Sequence, residues 1–432
     1  MIFLKRTLSL ILVLSMLLGL LCACGGTTDT PDLPESGDPA VDALAPAGGT
    51  DTQEGAQDDG AQTEPPAPQK AEYIIKSAIY HEGDTIPAGY TTYSGVVEHL
   101  FFHPVVAYPE VAFTSYMAEG IDDWMVTAGE YWKILDSLYE KNFVLVDIND
   151  IWSEETAADG TKHMVKNTLL VPEGKQPLVF SYDDVNYYQY MIETGFTHKL
   201  ILGEDGLLWS YGLDPDGNEV ISQDLDAVTI LDKFVREHPD FSPFGAKGCL
   251  SLTGYEGILG YRTQTDRDNT SAEFEAARQA EIAAVKPIIE ELKRTGWTFG
   301  CHTWGHINLD KKGMETIVND LTRWTDEVGS LIGETTILFY PHGARPDGGD
   351  WTNTGEEFRY LHSLGYRVLC SVGTSSFSYI KGDISAVICD RLHPDGTTLR
   401  SARCLESYAK FYDAREIIDL ENRPVREVGW MN

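Results

Sequence analysis

Short apolar segments with the pattern of β-strands alternate with amphipathic segments of helical period after about residue 120. This alternation constrains the fold more than any other feature of the chain. Thr127 and Glu130 have the form of a capping box before one helix, and the segment 270–273 opens a longer one. Alternating strands and helices predict an α/β fold. Glycines and polar residues recur just after the strand ends, where a (β/α) barrel builds its active site. We therefore expect an α/β fold with candidate site residues at this edge of the sheet.

The first residues have the pattern of an export signal. Lys5 and Arg6 precede an apolar run, 8–21, that is too short to favour a lasting membrane span. The run ends in Leu-Cys-Ala-Cys24-Gly, which resembles the lipobox of bacterial lipoproteins and implies that Cys24 is the lipidated first residue of the mature chain. An ordinary secretory signal and a retained transmembrane anchor are the alternatives.

The segment that follows, up to Lys70, consists largely of Thr, Asp, Pro, Gly, Ala and Gln with almost no large apolar residue. Such a segment cannot bury enough surface to offset its chain entropy, so we expect a disordered acidic tether. The predicted organisation is a signal peptide 1–23, a tether 24–70, a lead-in to the barrel 71–170 and a catalytic domain 171–432 with a hairpin-like insertion near 203–226.

Composition narrows the class of function. The chain has 33 basic and 67 acidic residues, a formal net charge of −34, and 42% hydrophobic residues. That charge leaves no basic surface for the phosphates of a nucleic acid and disfavours electrostatic adhesion to anionic lipid. A globular enzyme with an appendage remains. Five cysteines follow the tether without compact spacing, so buried free thiols are expected for most of them: Cys249, Cys301, Cys370, Cys389 and Cys404.

Two groups of polar residues could carry chemistry. Asp183 and Asp184 end a predicted strand, and two adjacent carboxylates point in different directions, so that one can bind a metal while the other remains a base. His302 and His306 are spaced i, i+4, which on a helical turn puts both imidazoles on one face. Together Asp184 and the two histidines predict a His-His-Asp metal site with open positions for water and substrate.

These motifs resemble those of the polysaccharide deacetylases, the NodB-homology family or carbohydrate esterase family four. The segment Ser181-Tyr-Asp-Asp-Val matches the first motif of that family, with Tyr for Phe and Val for Gly. His302-Thr-Trp-Gly-His matches the second motif fully, and Tyr340-Pro-His-Gly matches the end of the third. The resemblance covers about residues 178–395 and implies a distorted barrel of the NodB type.

The resemblance also implies roles for individual residues. Asp183 would be the general base, and Asp184, His302 and His306 would bind a divalent metal, zinc in the first place, with cobalt or manganese as alternatives. The backbone N–H of His342 would help to hold the tetrahedral oxyanion. His393 is the candidate for the histidine that protonates the leaving amine, and a surface loop histidine is the alternative.

Some elements of the family pattern are missing. The third-motif arginine, which supports the base, falls on Leu338 or Phe339, and Arg345 is a candidate substitute although a plain surface arginine fits it better. No Asp-Trp fourth motif follows.

Aromatic residues and one further histidine are candidates for the substrate cleft. Substrate contacts are expected from Tyr340, His342, Trp304 and Tyr187, with core packing the alternative for Trp304. Tyr188 and Tyr190 are expected to pack, and His103 is expected either to line the site or to be structural.

The sequence thus predicts a metal-dependent hydrolase of carbon–nitrogen bonds that removes N-acetyl groups from a cell-envelope or extracellular polysaccharide. Peptidoglycan, poly-N-acetylglucosamine and chitin-like polymers are the candidate substrates. An O-acetyl esterase acting on xylan-type glycans and a catalytically weak glycan-binding lipoprotein are the alternatives. We expect an extracytoplasmic monomer that is lipid-anchored to the bacterial cell membrane through Cys24 and binds no nucleic acid.

Overall fold

The computed structural model describes residues 74–346, 350–352 and 354–431. The predicted signal peptide, the tether and Cys24 lie outside the described residues. No helix within the described ranges is long and apolar enough to cross a membrane.

The strands of the described residues, in chain order, are β1 (Tyr90–Tyr93), β2 (Glu98–Phe102), β3 (Phe143–Leu145), β4 (Trp152–Thr156), β5 (Lys162–Lys166), β6 (Leu169–Pro172), β7 (Gln176–Asp183), β8 (Lys199–Leu202), β9 (Leu208–Leu213), β10 (Glu219–Ser222), β11 (Cys249–Leu252), β12 (Thr298–Cys301), β13 (Ile337–Phe339), β14 (Val368–Val372), β15 (Ser378–Lys381) and β16 (Ala386–Arg391).

The helices of the described residues, in chain order, are α1 (Pro109–Ala112), α2 (Ala118–Trp124), α3 (Ala128–Glu140), α4 (Gln189–Glu193), α5 (Ala227–Glu237), α6 (Ala272–Arg294), α7 (Met314–Trp324), α8 (Ser330–Ile332), α9 (Glu356–Ser363), α10 (Gly396–Arg400), α11 (Ala402–Ser407) and α12 (Ala414–Ile417). The predicted capping box is present at α3, where Thr127 and Glu130 exchange hydrogen bonds. Ser271 caps α6 by accepting a hydrogen bond from the Phe274 N–H.

A curled parallel sheet organises the chain. Its neighbouring strands run in the order β2, β7, β11, β12, β13, β14 and β16, and every adjacent pair is parallel. The sheet closes on itself just after β16, where Leu392 bridges Leu100 of β2 and exchanges hydrogen bonds with the backbone of His99 and Phe101. This closure confirms the predicted distorted (β/α) barrel.

Strand alternation assigns the apolar side chains of the sheet to two core clusters. Phe180, Leu338 and Ile388 belong to the larger cluster, which includes the apolar faces of the long helices. Residues one position away, such as Val179 and Phe339, belong to a second cluster. Because successive side chains of a strand point to opposite faces, the first cluster packs between sheet and helices and the second fills the inside of the curl.

Smaller elements surround the barrel. Strands β8, β9 and β10 form an antiparallel sheet, and the hairpin expected around Asp216 joins β9 to β10. The five cysteines of the described residues are buried and free, as expected for most of them. The domain boundaries at residues 70 and 170 stay predictions, although β2 and α3 of the predicted lead-in are integral to the barrel.

Candidate active site and metal centre

Strand β7 ends in the two adjacent carboxylates. Asp183 is the last residue of the strand, whereas Asp184 turns into the left-handed region with φ of 61°. Aspartate tolerates this conformation better than most residues. The Asp184 N–H donates to the carbonyl oxygen of Ser251 in β11 at 3.1 Å. The change in backbone direction gives the two side chains different partners.

The two histidines lie in the loop after β12. Thr303 and His306 both have positive φ values, 59° and 52°, so the segment from His302 to His306 is a tight loop. The helical turn suggested by the i, i+4 spacing is therefore wrong, because two left-handed residues cannot belong to a right-handed helix. The loop nevertheless brings the two imidazole rings to 5.0 Å between centroids.

A carboxylate from a neighbouring helix holds this loop in shape. Asp320 of α7 accepts hydrogen bonds from the N–H groups of Trp304 and Gly305, at 2.7 and 2.8 Å. Burial raises the pKa of Asp320 to about 6, although both N–H bonds favour its charged form. The position of the two histidines thus depends on a buried acid outside the motif.

Asp184, His302 and His306 converge on one point. Their ligand atoms all lie within 4.8 Å of one another, and the Nε2 atoms of His302 and His306 are 3.9 and 3.8 Å from Asp184 oxygens. His302 Nδ1 is 2.9 Å from the carbonyl oxygen of Phe339. Because a carbonyl only accepts, Nδ1 carries the proton and Nε2 presents its lone pair to the cluster. Two imidazoles and a carboxylate suit a divalent cation.

Tyr188 contacts Asp184, one of the three residues of this cluster. Its hydroxyl lies 2.6 Å from Asp184 Oδ1 and 2.6 Å from Thr253 Oγ1. Burial raises the pKa of this hydroxyl well above its usual value, so that it stays protonated. The sequence predicts only packing for Tyr188, and its position four residues after Asp184 is the one signal that could have drawn attention to it.

Asp183 is paired with Arg391, the last residue of β16. The two guanidinium nitrogens Nη1 and Nη2 donate to its two carboxylate oxygens at 2.8 Å each, and both side chains are buried. Burial by itself would raise the pKa of Asp183, but the charge of Arg391 outweighs it and holds that pKa below its ordinary value. Arg345 forms an ion pair with Asp390 at 3.4 Å. Arg391, which the sequence analysis missed, is therefore the arginine beside the base candidate.

His393 is part of a chain of polar contacts. Its Nδ1 lies 2.9 Å from Asp395 Oδ2 and its Nε2 lies 3.1 Å from His103 Nδ1. The Nε2 atom of His103 is 3.9 Å from Asp184 Oδ2. Burial, together with the charge of His393, lowers the pKa of His103 to about 4. The loop after β16 and the loop after β2 thus bring two imidazoles beside the metal ligands.

One expected substrate residue lies at the cluster. His342 is exposed, has φ of 58°, and its ring centroid is 4.5 Å from that of His306. This placement is compatible with a position along the rim of the cleft. Its predicted contact with the oxyanion stays a prediction.

Two other expected substrate residues are buried, which corrects those expectations. Tyr187 is fully buried and donates its hydroxyl to Asp226 at 2.8 Å. Tyr340 is also fully buried and belongs to the cluster between sheet and helices. Neither side chain is available to a sugar, because each is enclosed by protein on all sides.

Trp304 is half-buried, and its contacts favour the packing alternative. The guanidinium carbon of Arg323 lies 3.4 Å from the centre of its ring, and its Nε1 donates to Glu327 at 2.9 Å. Gly254 approaches the ring so closely that a Cβ there would be 2.3 Å from Cδ1. Arg323 therefore covers one face of the ring, and a contact between Trp304 and a sugar stays a prediction.

Part of the sequence matches a known protein family. Residues 267–369 match the family model described as polysaccharide deacetylase. The matched segment contains both histidines and β13, and it begins after the two aspartates. In this segment and in its motifs the chain is similar to polysaccharide deacetylases. No curated protein matches the sequence significantly.

Several solved structures are similar to the chain at low identity. The deacetylase PplD of Streptococcus pyogenes, solved in complex with acetate, is 11% identical with a TM-score of 0.34, over 70% of this chain and 93% of that one. A polysaccharide deacetylase from Bacillus cereus is 11% identical with a TM-score of 0.38, over 73% and 68%. IcaB from Ammonifex degensii is 11% identical with a TM-score of 0.34, over 70% and 92%.

Proposed function

We propose that this enzyme is a metal-dependent hydrolase that removes N-acetyl groups from the amino sugars of a cell-envelope or extracellular polysaccharide. The observation that carries the proposal is the juxtaposition of Asp183, held by Arg391, with the Asp184–His302–His306 cluster. A hydrolase of amides needs an ionised base beside an electrophilic centre, and this edge of the barrel provides residues for both.

Asp184, His302 and His306 would hold the divalent cation, with zinc the first candidate because imidazole and carboxylate donors suit it. When bound, such a cation polarises an acetyl carbonyl and lowers the pKa of a nearby water. The proton on His302 Nδ1 supports this assignment, since the bond to Phe339 fixes the ring orientation.

Asp183 would accept the proton of the attacking water as oxygen bonds to the acetyl carbon. Arg391 orients the carboxylate and keeps it ionised before the reaction. The water becomes part of the released acetate, and the carbon–nitrogen bond breaks to leave an amine on the sugar. The backbone N–H of His342 would donate to the carbonyl oxygen as it gains negative charge.

His393 would supply the proton that the leaving nitrogen requires. Asp395 holds its Nδ1 and fixes the ring. His103 lies between His393 and the metal ligands, so proton movement from His393 to the substrate would pass along the His393–His103 hydrogen bond. Released products are acetate and a free amine on the polymer.

We also propose that Cys24 is lipidated and anchors the enzyme outside the cell membrane, within reach of wall polymers. The acidic segment 24–70 would then act as a spacer. The alternative, a glycan-binding protein without efficient chemistry, is supported by two missing elements, the third-motif arginine and the Asp-Trp fourth motif. Arg391 weakens the first of these arguments, because it gives Asp183 the same kind of partner.

Acetate release by the full chain tests the proposal. The substrates are peptidoglycan, chitin oligomers, poly-N-acetylglucosamine and acetylated xylan, with zinc or cobalt added, and Asp183→Asn is the matched control. We expect metal-dependent release from an N-acetylated polymer that the variant loses. Release from xylan alone would instead establish an O-acetyl esterase, and no release from any polymer by verified metal-loaded protein would contradict the proposal.

A further inference from the structure

Tyr188 lies behind the metal ligands in a stack of three tyrosine rings. Its ring centroid is 4.7 Å from that of Tyr255 and 5.9 Å from that of Tyr190, with interplanar angles of 16° and 25°. The side chain is 2% exposed. Packing against these two rings holds the phenol in place, so neighbours other than Asp184 help to set the position of its hydroxyl.

The hydrogen bonds of this hydroxyl have a defined direction. An ionised carboxylate only accepts, so Tyr188 donates its proton to Asp184 Oδ1. The phenolic oxygen is then the acceptor for Thr253, whose hydroxyl is 2.6 Å away. Thr253 is itself held by Asn186, which accepts from its N–H at 3.2 Å and donates to its carbonyl oxygen at 2.9 Å. The donor to Asp184 therefore belongs to an ordered network.

This network distinguishes the two oxygens of Asp184. Oδ1 accepts the hydrogen bond from Tyr188 and lies 3.9 Å from His302 Nε2. Oδ2 faces His306 Nε2 at 3.8 Å and His103 Nε2 at 3.9 Å. Without the hydrogen bond to Tyr188, the carboxylate could rotate about its terminal bond, a torsion with broad preferences.

We propose that Tyr188 is a positioning residue for the metal ligand Asp184, and that its hydroxyl orients the carboxylate between His302 and His306, toward the cation. The proposal rests on the proposed metal-dependent function and adds to it a residue outside the family motifs. Outer partners of ligating carboxylates commonly contribute a factor of about 10 to 100 in metal affinity.

The test is a metal-affinity measurement on the full chain carrying Tyr188→Phe. Phenylalanine keeps the ring stack and removes only the hydroxyl. Tyr187→Phe is the matched control, because Tyr187 is an equally buried phenol that donates to a buried carboxylate, Asp226, away from the cluster. Zinc affinity is measured by competition with a chromophoric chelator, and the visible absorption of the cobalt-loaded protein reports on ligand geometry.

We expect Tyr188→Phe to bind zinc about 10- to 100-fold more weakly than the unmodified chain and to alter the cobalt spectrum. Tyr187→Phe should retain both properties. Equal affinity and equal spectra in Tyr188→Phe and the unmodified chain would overturn the positioning role, and so would equal losses in the two variants. Failure of the unmodified chain to bind either metal would instead contradict the proposed function, so the two failures are distinguishable.

Discussion

Arg391 holds the carboxylate of Asp183 through two parallel hydrogen bonds of 2.8 Å, although the two residues are 208 positions apart in the chain. The guanidinium lies against the rings of Phe101 and Phe339, at 4.1 and 4.6 Å from their centres. A paired, enclosed guanidinium both orients a carboxylate and favours its ionised form. Strand β16 thus supplies the arginine that the third motif lacks.

Arg391→Lys should lower kcat/KM and move the acidic limb of its pH profile to higher pH. Lysine keeps the charge but cannot form the parallel pair of bonds, and the loss of one charge-assisted bond is worth roughly 1.5–3 kcal/mol, a factor of about 10 to 100. Because the pKa of Asp183 is held low by Arg391, weakening the pair raises that pKa, so protonation inactivates the base at higher pH.

Arg345→Lys is the control for this experiment, since Arg345 pairs with Asp390 and not with Asp183. Its pH profile should match that of the unmodified enzyme. An Arg391→Lys profile that is lowered without any shift of the acidic limb would show that Arg391 does not act through the ionisation of Asp183.

Asp183→Asn should abolish turnover and leave metal content unchanged. An amide cannot accept the proton of the attacking water, and the loss of a general base lowers rates by about 10²- to 10⁴-fold. The metal ligands are on other residues, so zinc per protein, measured by elemental analysis, should stay at the unmodified value. Activity at the unmodified level would remove Asp183 from the mechanism.

His302→Ala and His306→Ala should lose metal and activity together. Each substitution removes one of three ligands from the cluster, whereas His163→Ala, on strand β5 of the β4–β5 hairpin, should change neither property. Metal content and acetate release are measured on the same preparations. Full occupancy in both ligand variants would place the metal site elsewhere.

Much of the fold and of the metal site could be predicted from the sequence, because local patterns specify them. The alternation of strand and helix periods predicts the barrel, and polar residues after β7 and β12 meet at one edge because parallel strands end there together. This rule predicts that Asp184 lies close to His302 and His306. The shape of the loop from His302 to His306 cannot be predicted from this rule, because it depends on the distant carboxylate of Asp320.

Residues that act across the barrel could not be predicted in this way. Arg391 reaches Asp183 through barrel closure, and Tyr188 reaches Asp184 through a turn that Asn186 and Thr253 stabilise. The burial of Tyr340, in contrast, could have been predicted, because strand alternation indicates which way its side chain points. Phe339 faces the inside of the curl, so its neighbour must face the helices.

The free energy of unfolding should depend on pH through Asp320, the residue that holds the loop from His302 to His306. Burial raises the pKa of this residue to about 6 in the folded protein, whereas an unfolded aspartate titrates near its ordinary value of about 3.9. At pH values between these two pKa values, Asp320 is protonated in the folded state and ionised in the unfolded state. The contribution of Asp320 to the free energy of unfolding is therefore complete below about pH 4 and is lost as the pH rises through about 6.

Asp320→Asn removes this titration, so the unmodified protein should become less stable relative to the variant by about 3 kcal/mol between pH 4 and pH 7. The measurement is urea unfolding of chelator-treated protein across this range, because bound metal would add its own pH dependence. At pH 4 the neutral Asp320 should still serve the loop better than asparagine, whose NH₂ group cannot accept the second N–H bond. Parallel stability curves for the two proteins would show that Asp320 is ionised throughout, and that the N–H groups of Trp304 and Gly305 outweigh its burial.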